Sequence, residues 1–531
     1  MRVCSKSRRI IVLCLMLGLA LASLQLHGHL VPAGDNATYI VLGQSVAAGH
    51  GYRMISDPRM PNMALYPPGY PMVLAGLLLL TRNVYSLPSA IVPMKLLSVA
   101  LFLTVLVLSY HLFSRRSLVS GLLTACMLAV NPHLLYYANE VGTEMPYLLL
   151  SLLSIHVFQR YWRYGKPVHL VVTAALLGLT FYIRSIALVL AAAFVLFLLA
   201  RRRWMPALLL TSVVGLMAAP WLLYSSSLPN TGTSVGLGRG YFALYFSSDP
   251  YGTANASLTD WVSRIAQNTS IYARDIWPEV IFAHAPRIAT SLGALGNAFL
   301  IGLAVMIVVG WALEVQRSDV TEWYVLLFFA SCLGYLWAQS RLIVPIIPFA
   351  AFYFLRALEM LLRWLARQTR AHLAFLLPLA TCLLVVSALV ADFRAIGRNL
   401  QYSLGKPVDS YYSLDLEWGN YLQAIRWVEA EADESAIVMC RKPDLLYVLI
   451  NRRALEYPYS SDGTELAQSV YNHQVTHLIE DAFTWTGTTS QYFRPALLDW
   501  QHQEPAALRL AMVTEAPRTR VWRVADQTTG E

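Results

Sequence analysis

Charge is what this sequence has least of. Asp, Glu, Lys and Arg together make up 13% of its 531 residues, about half the share of a soluble globular chain. Cysteine is scarce as well. The six cysteines, Cys4, Cys14, Cys126, Cys332, Cys382 and Cys440, include no Cys-x-x-Cys and fall mostly within apolar runs. That argues against a disulfide framework and against a cysteine-built metal site. His27, His29, His50 and His133 are scattered, without the spacing that a metal site needs. There is no internal repeat and no low-complexity tract.

What fills the chain instead is apolar. Hydrophobic residues make up 56% of it, and its mean hydropathy is +0.49. Several runs reach the roughly 20 residues that cross a bilayer as a helix. Only helices and closed barrels satisfy their backbone in lipid. The expected fold class is therefore mainly α, a polytopic transmembrane helical bundle. The net charge of +9 could suggest nucleic acid, but its placement argues otherwise. Basic residues cluster in short loops: Arg2, Lys6, Arg8 and Arg9; Arg115 and Arg116; Arg160, Arg163 and Lys166; Arg201 to Arg203; Arg363, Arg367 and Arg370. Such alternation is the positive-inside pattern, and these residues read as cytoplasmic topology anchors.

The first span runs from Ile10 to His27. It has the basic front of a signal peptide but no clean small-residue cleavage site, so it reads as a retained anchor. Later spans are expected near 90–113, 117–131, 144–160, 168–184, 185–200, 205–224, 293–314, 321–339, 342–362 and 373–391, which makes eleven. The pair at 168–200 is split by Arg184 and stopped by Arg201 to Arg203. An odd count puts the N-terminus in the cytoplasm and the C-terminus outside. The expected division is 1–391, the membrane domain with outer loops at 29–89 and 225–292, and 392–531, an outer soluble domain. Within the first outer loop, Tyr70 to Leu80 is too short to cross and reads as an interfacial or re-entrant helix. The loop 225–292 is broken by Asp249-Pro250 and Trp277-Pro278. In the tail, 436–440, 453–457, 475–479, 508–514 and 520–524 read as extended, with 445–450 and 463–472 helical. Strands alternating with helices suggest a small α/β domain.

Four features fall on the outer side. Asp35 lies in Gly34-Asp35-Asn36 just after the first span. Tyr66-Pro67-Pro68-Gly69-Tyr70-Pro71 forms a rigid turn into the interfacial helix. Asn139-Glu140 is followed by Glu144-Met145-Pro146 at the start of a span. Lys95, Arg184 and Arg341 stand near outer helix ends. Carboxylates beside apolar helices are costly unless they have work to do. A carboxylate can take a proton from an attacking hydroxyl, and cations can hold a phosphate and the charge left on it. Plainer readings exist for each: Asp35 as the cap of a short helix beginning near Ala37, Glu144 as a charge at a helix N-terminus, Glu140 as a solvated loop residue, Lys95 and Arg341 as snorkelling cations.

Taken in order, these residues resemble a family. The series is Gly34-Asp35 with Tyr39, Gly49-His50-Gly51-Tyr52, Tyr66 to Pro71, Asn131-Pro132, Asn139 and Glu144-Met145-Pro146, Gly178 before Arg184, and Arg341 before Pro345 and Pro348. It is similar to the GT-C superfamily of integral-membrane glycosyltransferases, on the branch of protein O-mannosyltransferases and lipid A aminoarabinose transferases. The resemblance covers about 1–360 and carries no motif in the tail. It implies an inverting transfer of a sugar from a polyprenyl-phosphate carrier to a lipid, glycan or protein acceptor, at the outer face of what would be a bacterial inner membrane. Asp35 would act as or position the base, with Glu144 as the second acidic position. Arg341 would stand near the carrier phosphate, with Lys95 a looser second contact. Arg184, Tyr66, Tyr70 and Glu140 complete the expected binding set. Metal-dependent members tend to have two adjacent acids, and Asn36 breaks that pair here, so neither metal nor cofactor is expected.

A transporter or flippase of lipid-linked sugars is the rival class. It predicts inverted repeats and charges near the midplane, whereas the charges here gather at helix ends. A scaffold whose tail binds a partner would leave Asp35 and Glu144 without a role.

Overall fold

The computed structural model describes residues 5–31, 34–228, 243–248, 255–316, 319–370, 373, 375–405 and 416–525. Backbone contacts divide the chain into two compact units. The first is Met1–His27, Lys95–Leu223 and Phe242–Gly397; the second is Gly28–Met94, Tyr224–Tyr241 and Arg398–Glu531.

The first unit is all helix. Six helices across the chain are long and apolar enough to cross a membrane: Ser7–Gln25, Leu87–Phe113, Trp204–Ser227, Gly293–Val315, Ser340–Thr369 and Leu376–Asn399. A seventh candidate, Leu118–Ala129 with Pro132–Ala138, is bent by 57°. The bend has a local cause. Pro132 cannot continue the preceding helix, and Asn131 caps the next one, accepting from the Leu134 amide at 3.1 Å. The remaining expected spans are the shorter apolar helices Pro167–Ile183, Ala187–Ala200 and Val320–Gly334, together with Glu144–Tyr164. Each of the eleven expected positions therefore holds a helix, and the chain is an integral membrane protein. Between the second pair the backbone opens at Arg184, which is extended at φ −150° and ψ 130°.

Burial sorts these helices. The apolar stretch of Ser340–Thr369 is 83% buried, against 22–44% in the other five, so this helix is the core and the others turn a face to lipid. It packs closely on Gly296–Val315. A Cβ at Gly310 would run into the Tyr353 carbonyl. The same core helix carries an ion-pair network at its far end. Arg116 pairs with Glu314, Asp319 and Glu322, while Arg356 pairs with Glu314 and Glu359. Glu314 and Glu322 are fully buried. Arg116 was expected as a topology anchor; it is also a buried structural charge, because its acidic partners lie on two other helices, Gly296–Val315 and Val320–Gly334 with its cap.

In the second unit the tail forms a five-stranded sheet. Its strands are β1 (Val438–Met439), β2 (Ala454–Leu455), β3 (His477–Glu480), β4 (Leu508–Val513) and β5 (Arg520–Val524), in the order β2-β1-β3-β5-β4. The β1, β2 and β3 strands run parallel, and β5 and β4 complete the sheet antiparallel. Met439, Leu455, Tyr457, Leu478 and Trp500 lie in its core. Two helices, Leu416–Glu431 and Arg494–Gln503, were not expected from the sequence. Their mixed surfaces carry little apolar periodicity. The segment expected as the first outer loop belongs to the same unit. Its helices are Asn36–Ala47 and the expected interfacial one, Gly69–Thr81. The Ala454 amide donates to the Ser56 carbonyl at 2.8 Å, tying that segment to the sheet edge.

The segment 255–291 is largely helical rather than loop, led by Leu258–Ile271. Trp277-Pro278 starts a short helix there instead of breaking the chain, since proline is tolerated in a first turn. Asp249-Pro250 lies outside the described residues.

The tight crossing gives a test with its own control. Gly310→Ala should destabilise the detergent-purified protein by about 1–3 kcal/mol, the usual cost of overpacking. Gly302→Ala, on the same helix with nothing within 4 Å of its Cβ position, should leave the unfolding temperature unchanged. Thermal unfolding of the two variants side by side checks it.

Candidate functional site

A second polar cluster in the first unit is built on Glu144. This residue opens the helix Glu144–Tyr164 and is 2% exposed. One of its oxygens receives Arg341 Nε at 2.5 Å and Arg184 Nη1 at 3.2 Å. Each arginine comes from a break in a helix. Arg184 stands where Pro167–Ile183 ends, and Arg341 lies in Ser340–Ile343, the short opening turn of the core span before its main helix Ile347–Thr369. The prolines at 345 and 348 sit in the first turns that follow, where a missing N–H costs nothing. Gly142 leaves room for the carboxylate: a Cβ there would meet Glu144 Oε2. Two guanidiniums on one carboxylate oxygen fix both arginines in place, and guanidiniums are suited to binding an anionic group.

Lys95 forms a third group in the same unit. It is fully buried, with Nζ at 3.3 Å from His27 Nδ1. Glu140 exerts a favourable charge on it. Ser98 Oγ donates to the Glu140 carbonyl at 2.8 Å, and Glu140 is 7% exposed. Glu140 is therefore a buried residue and not the solvated loop charge of the plainer reading.

Asp35 belongs to the second unit. It holds the N-cap position of Asn36–Ala47 but makes no side-chain capping bond. The plain capping role is thus not realised by its carboxylate. Tyr39, one turn on, meets Tyr66 edge-on at 5.1 Å and Tyr70 at 5.4 Å. Tyr52 donates to the Tyr66 carbonyl at 2.8 Å. The rigid proline turn thereby packs against the helix that Asp35 begins. Among the described residues no group of three or more His, Cys, Asp or Glu side chains is arranged to hold a metal ion.

Sequence reasoning missed Lys442 and Asp444. Lys442 Nζ donates to the Gly34 carbonyl at 3.1 Å. Asp444 accepts from Thr38 Oγ1 at 2.6 Å and from Ser56 Oγ at 2.7 Å. Burial pushes the Lys442 pKa down, and Arg441 adds to this, while Asp35, Glu456 and Asp444 oppose it. Burial pushes the Asp444 carboxyl up, against its two hydroxyl donors and Lys442. The only sequence signal was the run Arg441-Lys442-Pro443-Asp444 ahead of a helix.

The helical bundle with charges at its helix breaks and the α/β unit are shared in fold with proteins of known structure. The family described as dolichyl-phosphate-mannose-protein mannosyltransferase matches residues 66–224. Among solved structures, the chain is similar to the archaeal oligosaccharyltransferase AglB from Archaeoglobus fulgidus, in complex with an inhibitory peptide and a dolichol-phosphate. That likeness has 11% identity, a TM-score of 0.57, and covers 99% of this chain and 75% of that one. It is also similar to ArnT from Cupriavidus metallidurans in the apo state, at 12% identity and TM-score 0.56, covering 99% and 100%. ArnT bound to undecaprenyl phosphate matches at 13% identity and TM-score 0.51, covering 98% and 99%. No curated protein matches the chain. At these identities the structural likeness establishes the fold.

Glu144→Gln would leave two partly buried cations facing each other, whereas Arg341→Gln keeps the pair with Arg184. Orphaning buried charge costs about 3–5 kcal/mol. The unfolding temperature should therefore fall further in Glu144→Gln than in Arg341→Gln. Equal shifts in a thermal melt would show that the arginines do not depend on this carboxylate.

Proposed function

We propose that this chain is an inverting glycosyltransferase that moves a sugar from a polyprenyl-phosphate carrier to an acceptor hydroxyl or phosphate at the outer face of a bacterial inner membrane. The observation that carries this is the Glu144 cluster, a buried carboxylate that holds two arginines at helix breaks, in a GT-C-like fold. The families and structures it resembles include proteins named for, or bound to, lipid phosphates.

Each residue has a role in this account. Asp35 takes the proton of the acceptor as it attacks, the work of a positioned carboxylate. Arg341 and Arg184 hold the carrier phosphate and stabilise the charge that builds as the sugar leaves. Glu144 acts through them, fixing both guanidiniums on one oxygen. Lys95 supplies a further cation, with Glu140 its counter-charge. Tyr66 and Tyr70 shape the turn beside Tyr39. A phosphate is already a competent leaving group, so one displacement with one base suffices, and inversion follows from a single displacement. Apolar grooves between helices take the prenyl tail. Asn36 beside Asp35 supports a route without a divalent metal. The membrane and tail divisions at 1–391 and 392–531 remain the working assignment of function. The first carries the chemistry, and the acceptor, whether lipid, glycan or protein, is met on the outer side.

Purified protein given a panel of undecaprenyl-phosphate sugars should release free carrier phosphate. Asp35→Asn should lose about 100- to 10,000-fold of that rate, the range for a removed general base, while remaining folded. EDTA should leave turnover unchanged. Equal release by Asp35→Asn would refute the assignment of the base, and tight binding without turnover in both proteins would favour a flippase.

A further inference from the structure

The second unit brings residues far apart in sequence onto the Asp35 loop. Gly34 turns with φ +86°, a conformation that favours glycine. Asp35 follows, and its carbonyl accepts from the Tyr39 amide at 3.1 Å as the helix begins. The loop is gripped on both sides by the first turn of Pro443–Ile450. Lys442, just before that helix, donates to the Gly34 carbonyl, one residue before Asp35. Asp444 accepts from Thr38, three residues after it, and also from Ser56.

The gripping residues are themselves fixed. The Lys442 amide donates to the Tyr421 hydroxyl at 3.1 Å, and Tyr421 is fully buried. The Lys442 ammonium lies over the Trp485 ring at 5.3 Å, and Arg441 lies over the same ring at 5.7 Å. Arg441 in turn pairs with Glu456, which also receives the Tyr459 hydroxyl. A cation set between an aromatic face and a carbonyl is held by two attractions at once. Asp444 spends its two oxygens on two hydroxyls, and a buried carboxylate left without them would be penalised.

We propose that Lys442 and Asp444 of the tail are positioning residues for sugar transfer, clamping the backbone on either side of Asp35. The proposal rests on the assignment of Asp35 as the base. The tail then acts as part of the catalytic machinery, holding the carboxylate in line with the attacking group. Misplacing such a group by about 1 Å can cost about 100-fold in rate.

The test combines kinetics with amide hydrogen exchange on the full-length protein in detergent. Lys442→Met and Asp444→Ala should each lower kcat about ten- to a hundredfold and change the donor KM by less than about twofold, since only the reacting geometry suffers. Lys442→Arg, which keeps a donor, should restore most of kcat. Thr38→Val and Ser56→Ala remove the partners from the other side and keep the test open if Asp444→Ala fails to fold. In every clamp variant except Lys442→Arg, amides 34–40 should exchange faster. Unchanged exchange there would overturn the clamp. Faster exchange with unchanged kcat would overturn its link to transfer. If wild type releases no carrier phosphate, the functional reading fails and the transfer link falls with it, while exchange still decides the clamp.

Discussion

A charge taken out of water must find a partner, and this constraint orders the whole membrane unit. Its helices are apolar enough that buried ions stand out, and two groups of them pair acids with arginines. Glu314 and Glu322 are answered by Arg116 and Arg356 near the far end of the core helix. Glu144 is answered by Arg184 and Arg341 where helices break. The two groups differ in their balance. The first spreads several acids over a few arginines and so closes on itself. The second places two arginines on a single carboxylate oxygen. One network ties helices together along the bundle, and the other gathers where helices break.

The fold was legible where composition alone decides. Long apolar runs with basic ends gave a helix at every expected span, and Arg184 was enough to break 168–200 into two. The tail strands were legible because each is a short apolar run between turns, from Val438–Met439 to Arg520–Val524. Elements with mixed surfaces were not. Leu416–Glu431 and Arg494–Gln503 bury one side and wet the other without a clean stripe. Leu258–Ile271 buries Arg264 and Asn268 while exposing Leu258 and Val262. A helix with polar residues inward and apolar ones outward defeats any rule that sends apolar residues inward, and in a bilayer protein that inversion is physically allowed.

Candidate site residues were visible one at a time, as acids and cations beside apolar helices. Their partnerships were not. Nothing in Glu144-Met145-Pro146 names Arg341, because the bond depends on a helix opening nearly two hundred residues later. Glu140 looked like a wet loop residue and is buried. Lys442 and Asp444 were hidden in an ordinary turn, since their significance lies in what the fold brings to them and not in their neighbours along the chain.

The Thr38–Asp444 bond spans 406 residues. A chain emerges from synthesis beginning with its N-terminus, and its early parts fold first. Asp35 is among the first residues made after the opening helix, yet the groups that bond its loop are among the last. A partly made chain, or one cut short before the tail, would carry the carboxylate without its setting. The Asp35 loop thus waits for the last-made part of the chain, and this unit cannot assemble in the order in which it is synthesised.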